Sequence, residues 1–180
     1  MARANIEQTT LWSDAADAIN ANFIENYQHT GWAQYADTVL TSIAPLALVA
    51  DTAVLLPNNA GNTIDSQKPS DVASFYDGTV ITGRNGDGLT ITCDMKAKPT
   101  AAGTSTIDIW FDIGGGQGPL YQRQFSFPKG AGIERAVSFT VTGYTLGTWE
   151  ANGAATWIEA DGACEVYDIR YVITRSHKAI

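Results

Sequence analysis

Two periodicities divide the chain. From Ser13 to Tyr27, SDAADAINANFIENY, apolar side chains recur every four residues at Ala15, Ile19, Phe23 and Tyr27, with Ala16 and Ile24 beside them and Asp14, Asp17, Asn20 and Asn22 elsewhere. This spacing predicts an amphipathic helix of about four turns. Ser13 is suited to cap its N-terminus, Asp14 and Asp17 fall in the first turn where the backbone dipole favours anions, and Gly31 lies just beyond its end. A helix this short with one apolar stripe is not stable alone in water. It must cover the stripe against its own domain, against copies of itself or against a partner, and the first is the ordinary outcome.

After Gly31 the period becomes 2. Leu89, Ile91, Cys93 and Met95 alternate with Thr90, Thr92, Asp94 and Lys96; Ile107, Ile109, Phe111 and Ile113 alternate with Asp108, Trp110 and Asp112. Tyr121, Arg123, Phe125 and Phe127 alternate with Gln122, Gln124 and Ser126, Val137, Phe139 and Val141 with Ser138 and Thr140, and Tyr167, Ile169, Tyr171 and Ile173 with Asp168, Arg170 and Thr174. These are patterns of half-buried antiparallel strands. Turn signals separate them, among them Asp77-Gly78, Asn85-Gly86-Asp87-Gly88, Gly114-Gly115-Gly116, Asn152-Gly153 and Asp161-Gly162. With weaker segments at residues 38–43, 53–56, 72–76 and 79–82 the count reaches about eight to ten strands, which predicts a mainly β, antiparallel jelly-roll sandwich preceded by one short helix. The expected division is an arm and helix over residues 1–34 and a jelly-roll domain over residues 35–180.

Size and charge narrow the function. The 180 residues are 44% hydrophobic and 17% charged, enough for one real core. Eleven Lys and Arg against 19 Asp and Glu give a formal net charge of −8 and a pI near 4.5, the wrong sign for tracking phosphate backbones or anionic lipid. Neither nucleic acid nor a membrane is an expected partner. The longest apolar stretch, from Ile43 to Leu56, is broken by Pro45, Asp51 and Thr52 and is too short to span a bilayer. The N-terminus MARANIEQTTLW has no apolar stretch of the secretory type, so synthesis and assembly in a cytoplasm are expected. Cys93 and Cys164, each within a strand pattern, are expected to be buried thiols, with a single bridge between them as the second reading.

The chain holds no nucleophile elbow, phosphate loop, dinucleotide fingerprint, Cys-x-x-Cys or His-Glu-x-x-His. Its two histidines, His29 and His177, lie near opposite ends of the main domain's sequence without ligand-spaced partners, and both are expected to face solvent. No catalytic residue, cofactor or metal is assigned. Asp108 with Asp112, or Glu159 with Asp161, supply carboxylates, but Asp108, Trp110 and Asp112 fit the outer face of a strand whose inner face is Ile107, Ile109, Phe111 and Ile113. Asn85-Gly86-Asp87-Gly88 reads as a hairpin turn rather than a calcium loop. The glycine run at Gly114–Gly118 leads through Pro119 into a strand, not a helix, and reads as a connection rather than a phosphate cradle. Trp110, Trp149 and Trp157 are candidates either for stacking on a sugar or for burial in the core or an interface.

Two segments resemble something specific. LWSDAADAINANFIENY resembles a short helical element near the N-termini of tailed-bacteriophage fibre and head-appendage proteins, carried here by Ala18, Ile19, Asn20, Asn22, Phe23 and Tyr27. The blocks GDGLTITCDMKAKP, IDIWFDIGGG, FSFPKGAG, YTLGTWEANGAATWIEADG and VYDIRYVITRSHK resemble the small trimeric jelly-roll domains of phage virion proteins, which are similar in architecture to the tumour-necrosis-factor fold. The resemblance implies a virion structural protein acting as a homotrimer. Leu11, Trp12, Ile19, Phe23 and Tyr27 would anchor it or hold the trimer together, Trp110, Trp149 and Trp157 would be ligand or interface aromatics, and Val166 and Val172 are candidates for the threefold axis. It points first to a capsid decoration or cement protein, or a short head fibre, on the outside of the capsid and bound to the major capsid protein or another virion protein. The second expectation is a tail-fibre or tail-tip protein whose jelly roll binds a host-surface glycan. A glycan depolymerase, the third, would require a facing carboxylate pair in a groove.

Overall fold

The structure is a computed structural model that describes residues 12–21 and 29–179. Residues 12–21 are helical, α1; all but Trp12 fall within the predicted helix, and because Trp12 is already helical, Ser13 lies inside the first turn and is not the cap. Eleven strands follow: β1 Gly31–Ala36, β2 Leu46–Leu48, β3 Val54–Leu55, β4 Asn62–Ile64, β5 Val80–Ile81, β6 Gly88–Pro99, β7 Thr106–Asp112, β8 Leu120–Ser126, β9 Arg135–Tyr144, β10 Ala154–Ala160 and β11 Cys164–His177, with a six-residue helix α2, Gly147–Asn152, between β9 and β10. The first sheet runs β4-β1-β11-β6-β9, with β2 also on β11; the second runs β3-β10-β7-β8, with β5 also on β10. Every strand pairing in the two sheets is antiparallel. The result is a jelly-roll sandwich, the expected class.

The long strands form where period-2 patterning is strongest, and their apolar faces make the core. Leu89, Ile91, Cys93, Met95 and Ala97 of β6 point inward with Val137, Phe139 and Val141 of β9, against Ile107, Ile109 and Phe111 of β7 and Ile158 of β10. Phe111 and Phe139 meet across the two layers with ring centroids 5.3 Å apart. Strand β11 needs one adjustment. Cys164 and Val166 are buried at even positions, while Ile169, Tyr171, Ile173 and Arg175 are buried at odd ones. A β-bulge between Tyr167 and Arg170, with Asp168 at φ 54°, changes the phase and keeps both halves facing the core. Val166 therefore lies in the core and not on a threefold axis, whereas Val172 leaves the sheet on the outer face. Both cysteines are buried, free thiols, and burial pushes the Cys164 thiol up to about 11.

Several expectations are corrected. Residues 38–43 do not form a strand, because the Asp37 carboxylate accepts the backbone N–H of Val39 (2.8 Å), Leu40 (2.5 Å) and Asn59 (2.7 Å) and ties the segment into a turn. Residues 72–76 are likewise irregular, with Tyr76 only bridging Ile81. Strand β8 carries the expected alternation, yet Tyr121 and Arg123 are exposed because β8 is the edge strand and is itself bulged at its pairing with β7. Trp149 belongs to α2, is 3% exposed, and donates its indole N–H to the Ile81 carbonyl at 2.8 Å. It is a core residue and is withdrawn from the ligand aromatics. Gly153 ends that helix at φ 73°, and a Cβ there would stand 2.2 Å from Val80 Cγ2, so only glycine fits the turn into β10. Strand β1 crosses the expected division at residues 34 and 35 and lays Gly31–Gln34 into the sheet.

The pairing of β1 with β11 sets Gly31 opposite Arg175, so His29 and His177 share one end of the sandwich instead of lying apart. His177 is exposed and edge-on to Tyr144, while His29 is half-buried. Arg175, 2% exposed, sits at this end. Its guanidinium donates Nε–H to the His29 carbonyl at 2.7 Å, reaches the buried Asp87 at 3.2 Å, and pairs with Asp71. Asp87 also accepts the Ala179 backbone N–H at 2.9 Å. One buried cation thus joins the chain entering β1, the loop before β5, the turn before β6 and the C-terminal tail. Removing one partner of such a pair leaves the other buried and unmatched, so Asp87→Ala is expected to cost about 3 kcal/mol in urea denaturation. Replacing both members, Arg175→Met with Asp87→Leu, is expected to recover at least half of that; a double variant no more stable than Asp87→Ala contradicts the assignment.

Candidate functional site

The sandwich offers solvent two outward faces, each set by strand parity. On the first sheet, register aligns outward residues in rows across the strands. One row is Trp32, Thr174, Thr90 and Thr142; the next is Ile64, Gln34, Val172, Thr92 and Thr140. Neither row contains a charge. The threonines hydrogen-bond in pairs, Thr90 with Thr142 and Thr92 with Thr140, each at 3.0 Å. Trp32 and Ile64, 38% and 44% exposed, lie on this face. Farther along the strands the same face becomes ionic: Arg170 pairs with Asp94 at 2.6 Å, and Lys96 lies 3.3 Å from Asp168 and 3.5 Å from Glu134. The Tyr167 hydroxyl donates to Glu134, which, with partial burial, pushes it up to about 12.

On the second sheet, Trp157 of β10 stands directly opposite Trp110 of β7, and Leu55 of β3 lies opposite Trp157. Both tryptophans alternate with buried neighbours, Thr156 and Ile158 or Ile109 and Phe111, so both leave the sheet on the face away from the core and are half-buried there. In the adjoining row Glu159 is opposite Asp108, which is opposite Gln124. The Asp108 carboxylate accepts from the Gln124 amide at 2.9 Å and the Gln122 amide at 3.4 Å. Glu159 has no hydrogen-bond or ion-pair partner among the described residues.

The other carboxylates that the sequence offered as candidates have structural partners. Asp112 accepts the Gly114 backbone N–H at 2.7 Å and opens the glycine turn, which connects β7 to β8 as expected. Asp161 accepts the backbone N–H of Ser105 (2.8 Å) and Thr106 (3.0 Å), together with the Ser105 hydroxyl. Partial burial raises its carboxyl, but these hydrogen bonds outweigh that and hold it at about 2. Asp87 is committed to Arg175 and the C-terminal tail, so its turn is a structural one. Among the described residues no three His, Cys, Asp or Glu are grouped to hold a metal ion, and no described helix is long and apolar enough to cross a membrane.

Of the expected anchoring residues, Trp12 and Ile19 lie on α1 and are 72% and 55% exposed. Every described residue of α1 is exposed, so this part of the helix is not covered by its own domain. Leu11, Phe23 and Tyr27 lie outside the described residues. The three tryptophans separate into a core residue, Trp149, and a surface pair, Trp110 with Trp157. That pairing depends on register between strands far apart in sequence, which alternation alone does not fix. The uncharged rows on the first sheet were missed for the same reason.

No family model matches the chain, and no curated protein matches it. Among solved structures, Eiger TNF from S. frugiperda superposes with a TM-score of 0.51 at 8% identity, covering 84% of this chain and 95% of that one. The vertex protein P5 of PRD1 gives 0.42 at 12% identity, covering 83% and 96%, and tailspike protein 4 of bacteriophage CBA120 gives 0.33 at 14%, covering 82% and 20%. The likeness to the TNF ligand is one of fold: a tumour-necrosis-factor-like jelly roll.

Burial raises the Asp71 carboxyl too, but hydrogen bonds and charge from Arg175 and Lys178 outweigh it and hold it at about 2. Both Asp71 and Asp161 sit below the ordinary 3.8 in the fold. The stability they add is complete above that value and is lost as pH falls through about 2. Thermal midpoints are expected to decline across this window. Asp161→Asn, which cannot titrate, should flatten the decline; an unchanged slope contradicts the role given to Asp161.

Proposed function

We propose that this chain is a structural protein of a tailed-phage virion, a homotrimeric capsid decoration protein or short head fibre held on the outside of the capsid by its N-terminal segment. The observation that carries the reading is α1. An amphipathic helix whose Trp12 and Ile19 stand in solvent in the single chain calls for a partner surface. The uncharged rows of the first sheet supply a second such surface. Flat, rich in threonine and bearing Trp32, Ile64 and Val172, that face suits contact with further copies of the same chain.

Such a protein acts by mass action. Copies that bind only the assembled shell stabilise it by their binding free energy, and three linked N-terminal segments convert a weak single attachment into a strong one. Catalysis is not required, and an acidic, motif-poor domain suffices. The chain is read as assembling in the bacterial host cytoplasm and residing on the virion. A second reading, a tail-fibre or tail-tip protein that binds a host-surface glycan, draws on the Trp110–Trp157 pair of the second sheet.

Purified protein mixed with undecorated heads of its own phage, and separately with host cells, is expected to co-sediment saturably with the heads at many copies per shell. Phe23→Asp should reduce the bound copies at least about tenfold while leaving the near-ultraviolet circular dichroism of the β-domain unchanged. Binding to cells with none to heads overturns the decoration reading, and a Phe23→Asp protein that binds heads fully overturns the role of the helix.

A further inference from the structure

The outward face of the second sheet is chemically unlike that of the first. Trp157 and Trp110 form one cross-strand row, and the carboxylates Glu159 and Asp108 form the next. Directly opposed like charges destabilise a strand pair, yet among the described residues no cation offsets these two. Neither β7 nor β10 contains a Lys or Arg. Asp108 is oriented by two glutamine amides, and Glu159 is unengaged. Folding gains from the cross-strand indole pair but not from the unneutralised carboxylate pair set beside it.

We infer that this face is a carbohydrate-binding platform for a neutral, gluco-configured glycan. An indole is a flat apolar surface of the size of a pyranose ring, and pyranoses with equatorial hydroxyls present a flat C–H face to stack on it. Carboxylates accept hydrogen bonds from vicinal hydroxyls, and charge-assisted bonds of this kind are the stronger ones. The two rows therefore supply a stacking surface and, beside it, acceptors for the ring edge. The absence of cations on β7 and β10, with the chain's net charge of −8, disfavours polyanionic polymers. The inference holds whether the protein sits on the head or the tail.

The test is titration of the full chain with chitohexaose and with cellohexaose, followed by indole N–H signals in two-dimensional NMR, with a hexagalacturonate as the anionic comparison. At least one neutral oligosaccharide is expected to bind with Kd of about 0.1–1 mM, moving the Trp110 and Trp157 signals and leaving that of the buried Trp149 in place. Trp110→Ala and Trp157→Ala should each weaken binding about tenfold or more. Asp108→Asn, a substitution that leaves the stacking surface intact, should weaken it about threefold. Failure of both neutral probes to bind at about 5 mM, binding that survives both tryptophan substitutions, or hexagalacturonate binding as tightly as the neutral probes overturns the inference. None of these outcomes depends on whether the protein attaches to phage heads.

Discussion

Strand β11 must face the core along 14 residues while pairing with β1, β2 and β6, and the rest of the architecture depends on how it does so. An unbroken two-residue alternation would put either Val166 or Ile169 into solvent. The bulge at Tyr167 to Arg170 resolves the conflict, at the cost of a left-handed residue at Asp168. Its first half then seals the sandwich against β2 with Cys164 and Val166. Its second half lays Tyr171 and Ile173 under β1 and β6 and ends in Arg175. There the guanidinium, excluded from water, gathers the chain entering β1, two loops and the C-terminal tail around itself. The position of His29, where the chain enters β1, is therefore tied to the same strand that organises the core.

From this follows a division of labour between the two outer faces. Because β1, β11, β6 and β9 are held in fixed register, their outward side chains form rows, and the rows sort themselves into an uncharged, threonine-lined half and an ion-paired half. The second sheet, closed by α2 through Trp149, presents a different surface, with a tryptophan row and a carboxylate row. The two faces suit different kinds of contact. A flat uncharged surface favours another protein surface, and an aromatic row beside hydrogen-bond acceptors favours a small polar ring. Both kinds of contact are compatible with the virion structural role proposed above.

Much of the fold was legible along the chain. The long strands β6, β7 and β9 and the second half of β11 follow directly from alternation, because each has one face wholly buried and the other wet. Short strands were less visible. The sequence GWAQYA offers only Ala33 and Tyr35 to the core and β2 is too brief for a period to register, whereas β3 and β5 fall within the weaker segments expected at 53–56 and 79–82. Side-chain capture of backbone N–H groups by Asp37 converted an apolar-looking stretch into a turn, a competition that patterning does not weigh. The sites were less legible still. Trp149 and Trp157 read alike in sequence, yet one lies on a six-residue helix facing inward and the other on the outer face of a strand. What distinguishes them is the helix α2 itself, signalled only by the Asn152-Gly153 stop. The pairing of Trp110 with Trp157 and of Asp108 with Glu159 is a matter of register, fixed by contacts far apart in sequence.

The proposal that the uncharged rows of the first sheet join three copies of the chain can be tested without the phage. Light scattering coupled to size-exclusion chromatography on the purified full chain tests it most directly, beside a Val172→Arg variant that places a charge in the middle of those rows. A mass of three times the 19.2 kDa chain is expected for the unaltered protein, with a shift toward the single-chain mass for the variant. A single-chain mass for the unaltered protein, or a Val172→Arg protein that remains fully trimeric, contradicts it.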